Sequence, residues 1–250
     1  MTLTAGNGAF LLGAGVLSGA LNAIAGGGSL VSFPAMLALG VPSVTANASN
    51  AFAQWPGSAS AAWGFRNRWP AITEPTRDLW PTTLIGGVLG AVLLLATPAR
   101  VFDFLVPALV LFATLLLART PKPGRKPLSR PTIHGLQFAT SLYGGYFGAG
   151  MGILMMALFR TILPDRNIHD WNALKSVLAV LINLSASLFF VVRGQIAWAP
   201  CLLVMAGSML GGLVAARVSQ RVDPSRLKSA VVVYGLFMTI WLTMRAFGSL

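Results

Sequence analysis

The sequence predicts an all-helical polytopic membrane protein made of two inverted repeats, each a broken re-entrant helical hairpin followed by three transmembrane helices. Three features carry that expectation: sparse charge among long apolar runs, two glycine-broken segments at matching places in the chain, and an uneven distribution of basic residues.

Of the 250 residues, 55% are hydrophobic and only 10% are charged, against roughly 25% charged in a soluble domain. A water-facing surface cannot be built from that composition. Apolar runs of spanning length, about 17–25 residues, lie near 43–65, 80–97, 101–118, 171–192, 196–216 and 228–247, leaving no room for a soluble domain. Met1 to Gly8 carry no Lys or Arg, so the basic region of a cleavable signal peptide is missing and the first hydrophobic segment is expected to stay. The net charge of +12 sits in short gaps between apolar runs and forms no basic stripe, which argues against nucleic acid as a partner. A single cysteine, Cys201, excludes an internal disulfide and a cysteine-cluster metal site. His134 and His169 stand apart at loop edges without ligand-spaced partners, so neither metal nor cofactor is expected. The six acidic residues are read into loops or helix ends, and no nucleophile, base and acid converge, so the chain is not read as an enzyme.

Residues 9–40 are too long for one straight crossing and are broken at Ala25-Gly26-Gly27-Gly28-Ser29. Residues 133–163 repeat the design at Gly148-Ala149-Gly150-Met151-Gly152, and matching Gly26 with Gly150 gives a 124-residue offset. Gly86-x-x-x-Gly90 with Arg100 likewise resembles Gly207-x-x-x-Gly211 with Arg221. The chain therefore divides into a first repeat (1–120), a basic linker (121–131) and a second repeat (132–250).

Charge decides how the broken segments meet the membrane, because cytoplasmic loops collect Lys and Arg. With the Arg119–Arg130 loop inside, single crossings put ten basic residues inside and seven outside. Hairpins that return to the same side leave only Arg100, Arg193 and Arg245 outside against fourteen inside, with Lys175 within a helix. The hairpin topology is favoured, with the 119–131 loop cytoplasmic in the inner membrane of the cell. Three crossings per half then make the halves inverted, a common transporter architecture.

Irregular backbone at membrane depth survives only when buried in protein or lining a wet cavity. The two tips are thus expected to face each other inside. Each precedes a new helix, near Ser29–Leu39 and Gly152–Leu163, whose first N–H groups are unpaired and attract anions. Gly26, Gly27, Gly28 and Ser29, with Gly148, Gly150 and Gly152, are the candidate tip residues; close helix packing is the competing explanation for such glycines. The next helix opens Thr45-Ala46-Asn47-Ala48-Ser49-Asn50, and Asn47, Asn50 and Gln54 share one face. Asn172, Lys175, Ser176 and Asn183 take similar places in the second half. Lys175 is a candidate partner of an anion, with snorkelling to the interface as the alternative.

Gly19-x6-Gly26-Gly27-Gly28-x5-Pro34 followed by Gly40-x5-Ala46-x2-Ser49-Asn50 resembles the first half of the sulfite exporter TauE/SafE family. Tyr143-Gly144-Gly145-Tyr146-Phe147-Gly148-Ala149-Gly150-Met151-Gly152, then Asn172-Ala173-Leu174-Lys175 and Gly194-x3-Trp198, is similar to its second repeat. The resemblance covers nearly the whole chain, adds Tyr146 to the candidate site, and implies transport of a small sulfur-containing anion such as sulfite or an organosulfonate like sulfoacetate. The sequence departs from the family pattern at Asn22, beside the first tip, and at Met151, within the second. The expected function is a secondary transporter or facilitator whose partners are a small anionic substrate and the lipid bilayer, with a homo-oligomer left open. An anion channel and a non-transporting membrane assembly subunit are the alternatives.

Overall fold

A computed structural model describes residues 4–118, 128–218 and 224–248. Among them are ten α-helices and no strand: α1 (Ala5–Ile24), α2 (Ser29–Ala38), α3 (Ser43–Gly64), α4 (Trp69–Ala96), α5 (Ala99–Ala118), α6 (Arg130–Tyr146), α7 (Met151–Ile162), α8 (Ile168–Val192), α9 (Trp198–Val218) and α10 (Pro224–Ala246). The basic residues Arg119, Lys122, Arg125, Lys126 and Arg221, on which much of the charge argument rests, lie outside the described residues.

Local chemistry starts several of these helices. Thr4 accepts the Asn7 N–H at α1 and Ser129 accepts the Thr132 N–H at α6, each satisfying a donor the helix leaves open. Asn167 and Asp170 form a reciprocal capping box at α8. Five helices among the described residues are long and apolar enough to cross a membrane: α1, α4, α5, α8 and α9.

The main departure from the sequence reading is α4. Its apolar run was expected from residue 80, but the helix starts at Trp69 with Pro70 in its first turn, where the ring's fixed φ suits a helix and its missing N–H is no loss. Glu74 and Asp78 therefore stand within a helix and not in a loop. His134 likewise lies inside α6, with Nε2 3.3 Å from an Asp78 oxygen, and Arg130 bonds the same carboxylate. Asp78 thus ties the third turn of α4 to the start of α6.

The short helices fold back on their predecessors. Ser32 of α2 lies 2.9 Å from Ser18 of α1, oxygen to oxygen, and Tyr143 of α6 donates to the Ala149 carbonyl at 2.6 Å. Gly26 (φ +80°) and Gly148 (φ +78°) make the two bends, a left-handed conformation that glycine adopts without Cβ strain. In both, one carbonyl of the ending helix accepts two N–H groups: Leu21 from Ala25 and Gly26, Tyr143 from Phe147 and Gly148. The structural register therefore matches Gly26 to Gly148, two residues from the register read in the sequence.

The principal contacts recur between the halves. Helix α1 packs on α9 as α6 packs on α4; α3 packs on α9 as α8 packs on α4; α3 crosses α8, and α5 pairs with α10. Small residues allow the closest of these approaches. A Cβ built on Gly19 would stand 2.1 Å from the Ser208 carbonyl oxygen, and one on Gly211 1.9 Å from that of Val16. On α4, Gly86 and Gly90 meet Ser141 and Leu142 of α6 in the same manner. The Gly-x-x-x-Gly spacings are therefore packing surfaces against the outer helix of each hairpin.

Gly211→Ala is expected to destabilise the detergent-solubilised protein by about 1–3 kcal/mol, the usual range for overpacking. Gly13→Ala, where an added Cβ meets nothing within 4 Å, should not lower the thermal midpoint, since alanine is the better helix former.

Candidate functional site

A helix that stops inside a bundle leaves its last carbonyls without intrahelical donors. At the end of α1 those of Asn22 and Ala23 accept from Lys175 Nζ at 2.7 and 3.0 Å. The third ammonium proton goes to Asn172 Oδ1 at 2.7 Å. Lys175 is 1% exposed, so it does not snorkel: it crosses from α8 to cap a helix of the other half. A cation at a helix C-terminus also meets the negative end of the dipole. At the end of α6 the Tyr146 carbonyl accepts from Asn47 Nδ2, 2.8 Å away. Each half therefore supplies, from the helix after its own hairpin, the donor that closes the other half's hairpin.

The Lys175 cap adjoins the meeting point of the tips. A Cβ on Gly26 would lie 2.6 Å from the Gly152 Cα, and one on Gly152 2.5 Å from the Gly26 Cα and 3.1 Å from the Lys175 Cδ. Only glycine at both positions lets the two backbones touch. Gly150, in a left-handed conformation (φ +78°), backs onto Ala113 of α5, and Gly28 sits over the Ser18 carbonyl. The ring of Phe33 in α2 packs edge-on to Phe147 beside the second tip, centroids 5.4 Å apart. Neither α2 nor α7 has a side chain capping its N-terminus.

Beside the first tip lies a buried polar cluster. Ser32 donates to Asn50 Oδ1, and Gln54 Nε2 reaches both Ser18 and Ser32 oxygens, the latter at 2.9 Å. Asn22, one turn before the bend, donates to Ser58 at 3.1 Å. Asn47 Oδ1 and Gln54 Oε1 are buried without a hydrogen-bond partner among the described residues. Ser18 and Ser32 belong to this cluster yet were not singled out from sequence, because a lone serine in an apolar helix is an ordinary packing residue.

The candidate residues do not all converge. Gly26, Gly152, Asn22 and Lys175 form one neighbourhood; Asn50 and Gln54 adjoin the first tip through Ser18, which lies under Gly28; Asn47 meets the Tyr146 carbonyl at the end of α6; and Gly27 and Ser29 lie in the first tip itself. Ser49 instead accepts the Ala197 N–H at 2.8 Å, at the entry to α9. Ser176 bonds back to the Asn172 carbonyl of its own helix. Asn183 is buried two turns further along α8 and has no hydrogen-bond partner among the described residues. The Tyr146 hydroxyl points away, 3.4 Å from Thr97. Met151 sits under Gly144, where an added Cβ would meet its sulfur.

Two cavities open at opposite ends of α4, of about 870 and 710 Å³, and no tip glycine lines either.

The chain matches the family model described as "Sulfite exporter TauE/SafE" over residues 11–242. The protein belongs to the TauE/SafE family. Among its relatives, a "Probable membrane transporter protein" of Haemophilus influenzae is 30% identical over 239 residues, covering 92% of each chain. The "Probable membrane transporter protein YfcA" of Escherichia coli is 27% identical over 230 residues, 90% of this chain and 85% of the relative. A "Probable membrane transporter protein ORF9" of a Sinorhizobium species is 27% identical over 237 residues, 93% and 90% of the two chains. No solved structure matches. With its apolar helices, this TauE/SafE protein is a multi-pass membrane protein.

Lys175→Met removes the donors of two buried helix-end carbonyls, each worth about 1–3 kcal/mol when left unsatisfied. Its thermal midpoint should fall well below that of Ser176→Ala, which loses only an intrahelical bond. Equal midpoints would deny Lys175 its capping role.

Proposed function

We propose that this TauE/SafE protein is a secondary transporter or facilitator that carries a small sulfur-containing anion, sulfite or an organosulfonate such as sulfoacetate, across the cell membrane. The substrate binds between the two glycine tips, whose hairpins are re-entrant and belong to inverted repeats. The alternation of contacts between the halves supports that reading, and so do the lengths of α2 and α7. At ten and twelve residues they reach about 15–18 Å, roughly half a bilayer core.

The observation that carries the proposal is the junction of Gly26, Gly152 and Lys175. A buried ammonium with only neutral acceptors leaves a net positive charge there, since no carboxylate lies within 4 Å of it among the described residues. Its three protons are already engaged, so it attracts an anion through its field. Leu30, Val31, Met151 and Ile153 already donate to tip carbonyls, so the Ser29 and Gly152 N–H groups, which have no backbone acceptor among the described residues, are the direct donors at the starts of α2 and α7. Such groups bind oxyanions without regard to what the anion otherwise carries, which suits a family spanning several sulfur acids. Backbone contact between the tips closes the midline, as an occluded carrier requires and an open anion channel does not. An inside-negative potential favours anion exit by about 2.3 kcal/mol per charge per 100 mV, so export needs no coupling ion.

In proteoliposomes the protein is expected to give saturable sulfite or sulfoacetate counterflow. Gly152→Ala should reduce it at least tenfold, about 1.4 kcal/mol or more in transition-state stabilisation, while eluting as folded protein. Undiminished flux in Gly152→Ala would place the substrate elsewhere, and non-saturating flux without counterflow would favour a channel.

A further inference from the structure

The three arginines that the hairpin topology leaves on the outer side are not scattered. Arg100, Arg193 and Arg245, from the start of α5, the end of α8 and the last turn of α10, all line the single 870 Å³ cavity at the C-terminal end of α4. Among the described residues Asp103 is the only acidic one on its wall, and it lies beyond salt-bridge distance of all three guanidiniums. Arg193 rests over the Phe189 ring, 5.3 Å from its centroid, and Arg245 over Trp241 at 5.7 Å. Each ring covers one face of its guanidinium and leaves the edges for a ligand.

The backbone adds to the same polarity. Ser43, Val44 and Thr45, the first turn of α3, also line the cavity, and that helix has no side chain capping its N-terminus. The N-terminus of α5 opens onto it too, through Thr97, Pro98 and Ala99. Helix starts ordinarily carry acidic residues; α5 instead has Arg100 in its first turn and no acidic residue there. That reversal is unfavourable for the helix alone and favourable once an anion is present. Positive charge on an outer face also runs against the bias that sets topology.

We propose that this cavity is a second anion site, an outer vestibule that binds doubly charged oxyanions of the sulfate or sulfite type. It is separate from the tips and shares no residue with them. Its role in transport rests on the proposed function above; its binding of an anion does not. Fork-shaped guanidiniums match the oxygen pairs of such ions, and three of them beside one carboxylate leave a surplus of two positive charges.

The test separates binding from transport. Purified protein in detergent is titrated with sodium sulfate and, in parallel, sodium chloride at matched ionic strength, reading the thermal midpoint, because a ligand of the folded state raises it. Arg100→Gln and Arg193→Gln are the informative variants, since Arg245 also donates to the Leu37 carbonyl at 3.0 Å. Each is expected to weaken the half-maximal sulfate concentration about tenfold, with Arg166→Gln at the opposite end unchanged. Sulfate stabilisation equal in wild type, Arg100→Gln and Arg193→Gln would overturn the site, as would stabilisation by short-chain phosphatidylglycerol and not by sulfate, which would make it a lipid contact. Counterflow with an unaltered KM in both variants, alongside lost sulfate binding, would keep the site and remove it from the transport path; loss of counterflow in wild type would defeat the transport reading and leave the site standing.

Discussion

A peptide carbonyl at the end of a helix that stops inside a membrane protein has no water to bond, and leaving it bare is strongly unfavourable. The rest of this structure depends on how that requirement is met. Two helices, α1 and α6, end in the interior, and each finds its missing donor on the opposite half of the chain. Lys175 serves the Asn22 and Ala23 carbonyls and Asn47 serves that of Tyr146. Neither hairpin is complete without the other half.

The consequences run outward from those bonds. Both helix ends are held by α3 and α8, and the two breaks pack on each other where Gly26 lies against Gly152. The outer hairpin helices are then clamped along their length by glycine-lined contacts with α9 and α4. Charge follows the same geometry. Lys175 is retained in the interior, where an ammonium is unfavourable, because the end of α1 and three neutral oxygens accept it; on the proposed function, that uncompensated charge is what attracts the anion.

Much of this was legible in the sequence. The pieces expected at Ser29–Leu39 and Gly152–Leu163 are α2, Ser29–Ala38, and α7, Met151–Ile162, because a glycine cluster inside an apolar run leaves a helix few other places to stop. The start of α4 was not legible: its first turns carry Glu74 and Asp78, and hydropathy reads charged turns as loop. The function of Lys175 was also hidden, since its partners are main-chain oxygens some 150 residues away, and every sequence supplies carbonyls. The shared cavity of Arg100, Arg193 and Arg245 could not be read directly either. The charge count nevertheless isolated those three, and the structure gives them a common address.

The claim that the two cross-half caps support one shared junction is tested most directly by a double-mutant cycle on Asn47→Ala and Lys175→Met, read as unfolding stability of the purified protein. If both caps hold the same tip contact, the double variant loses less than the sum of the single losses, with a coupling on the order of 1 kcal/mol or more, as expected for residues acting on one unit. Additive losses within about 0.5 kcal/mol would mean that the hairpins close independently and would contradict the account.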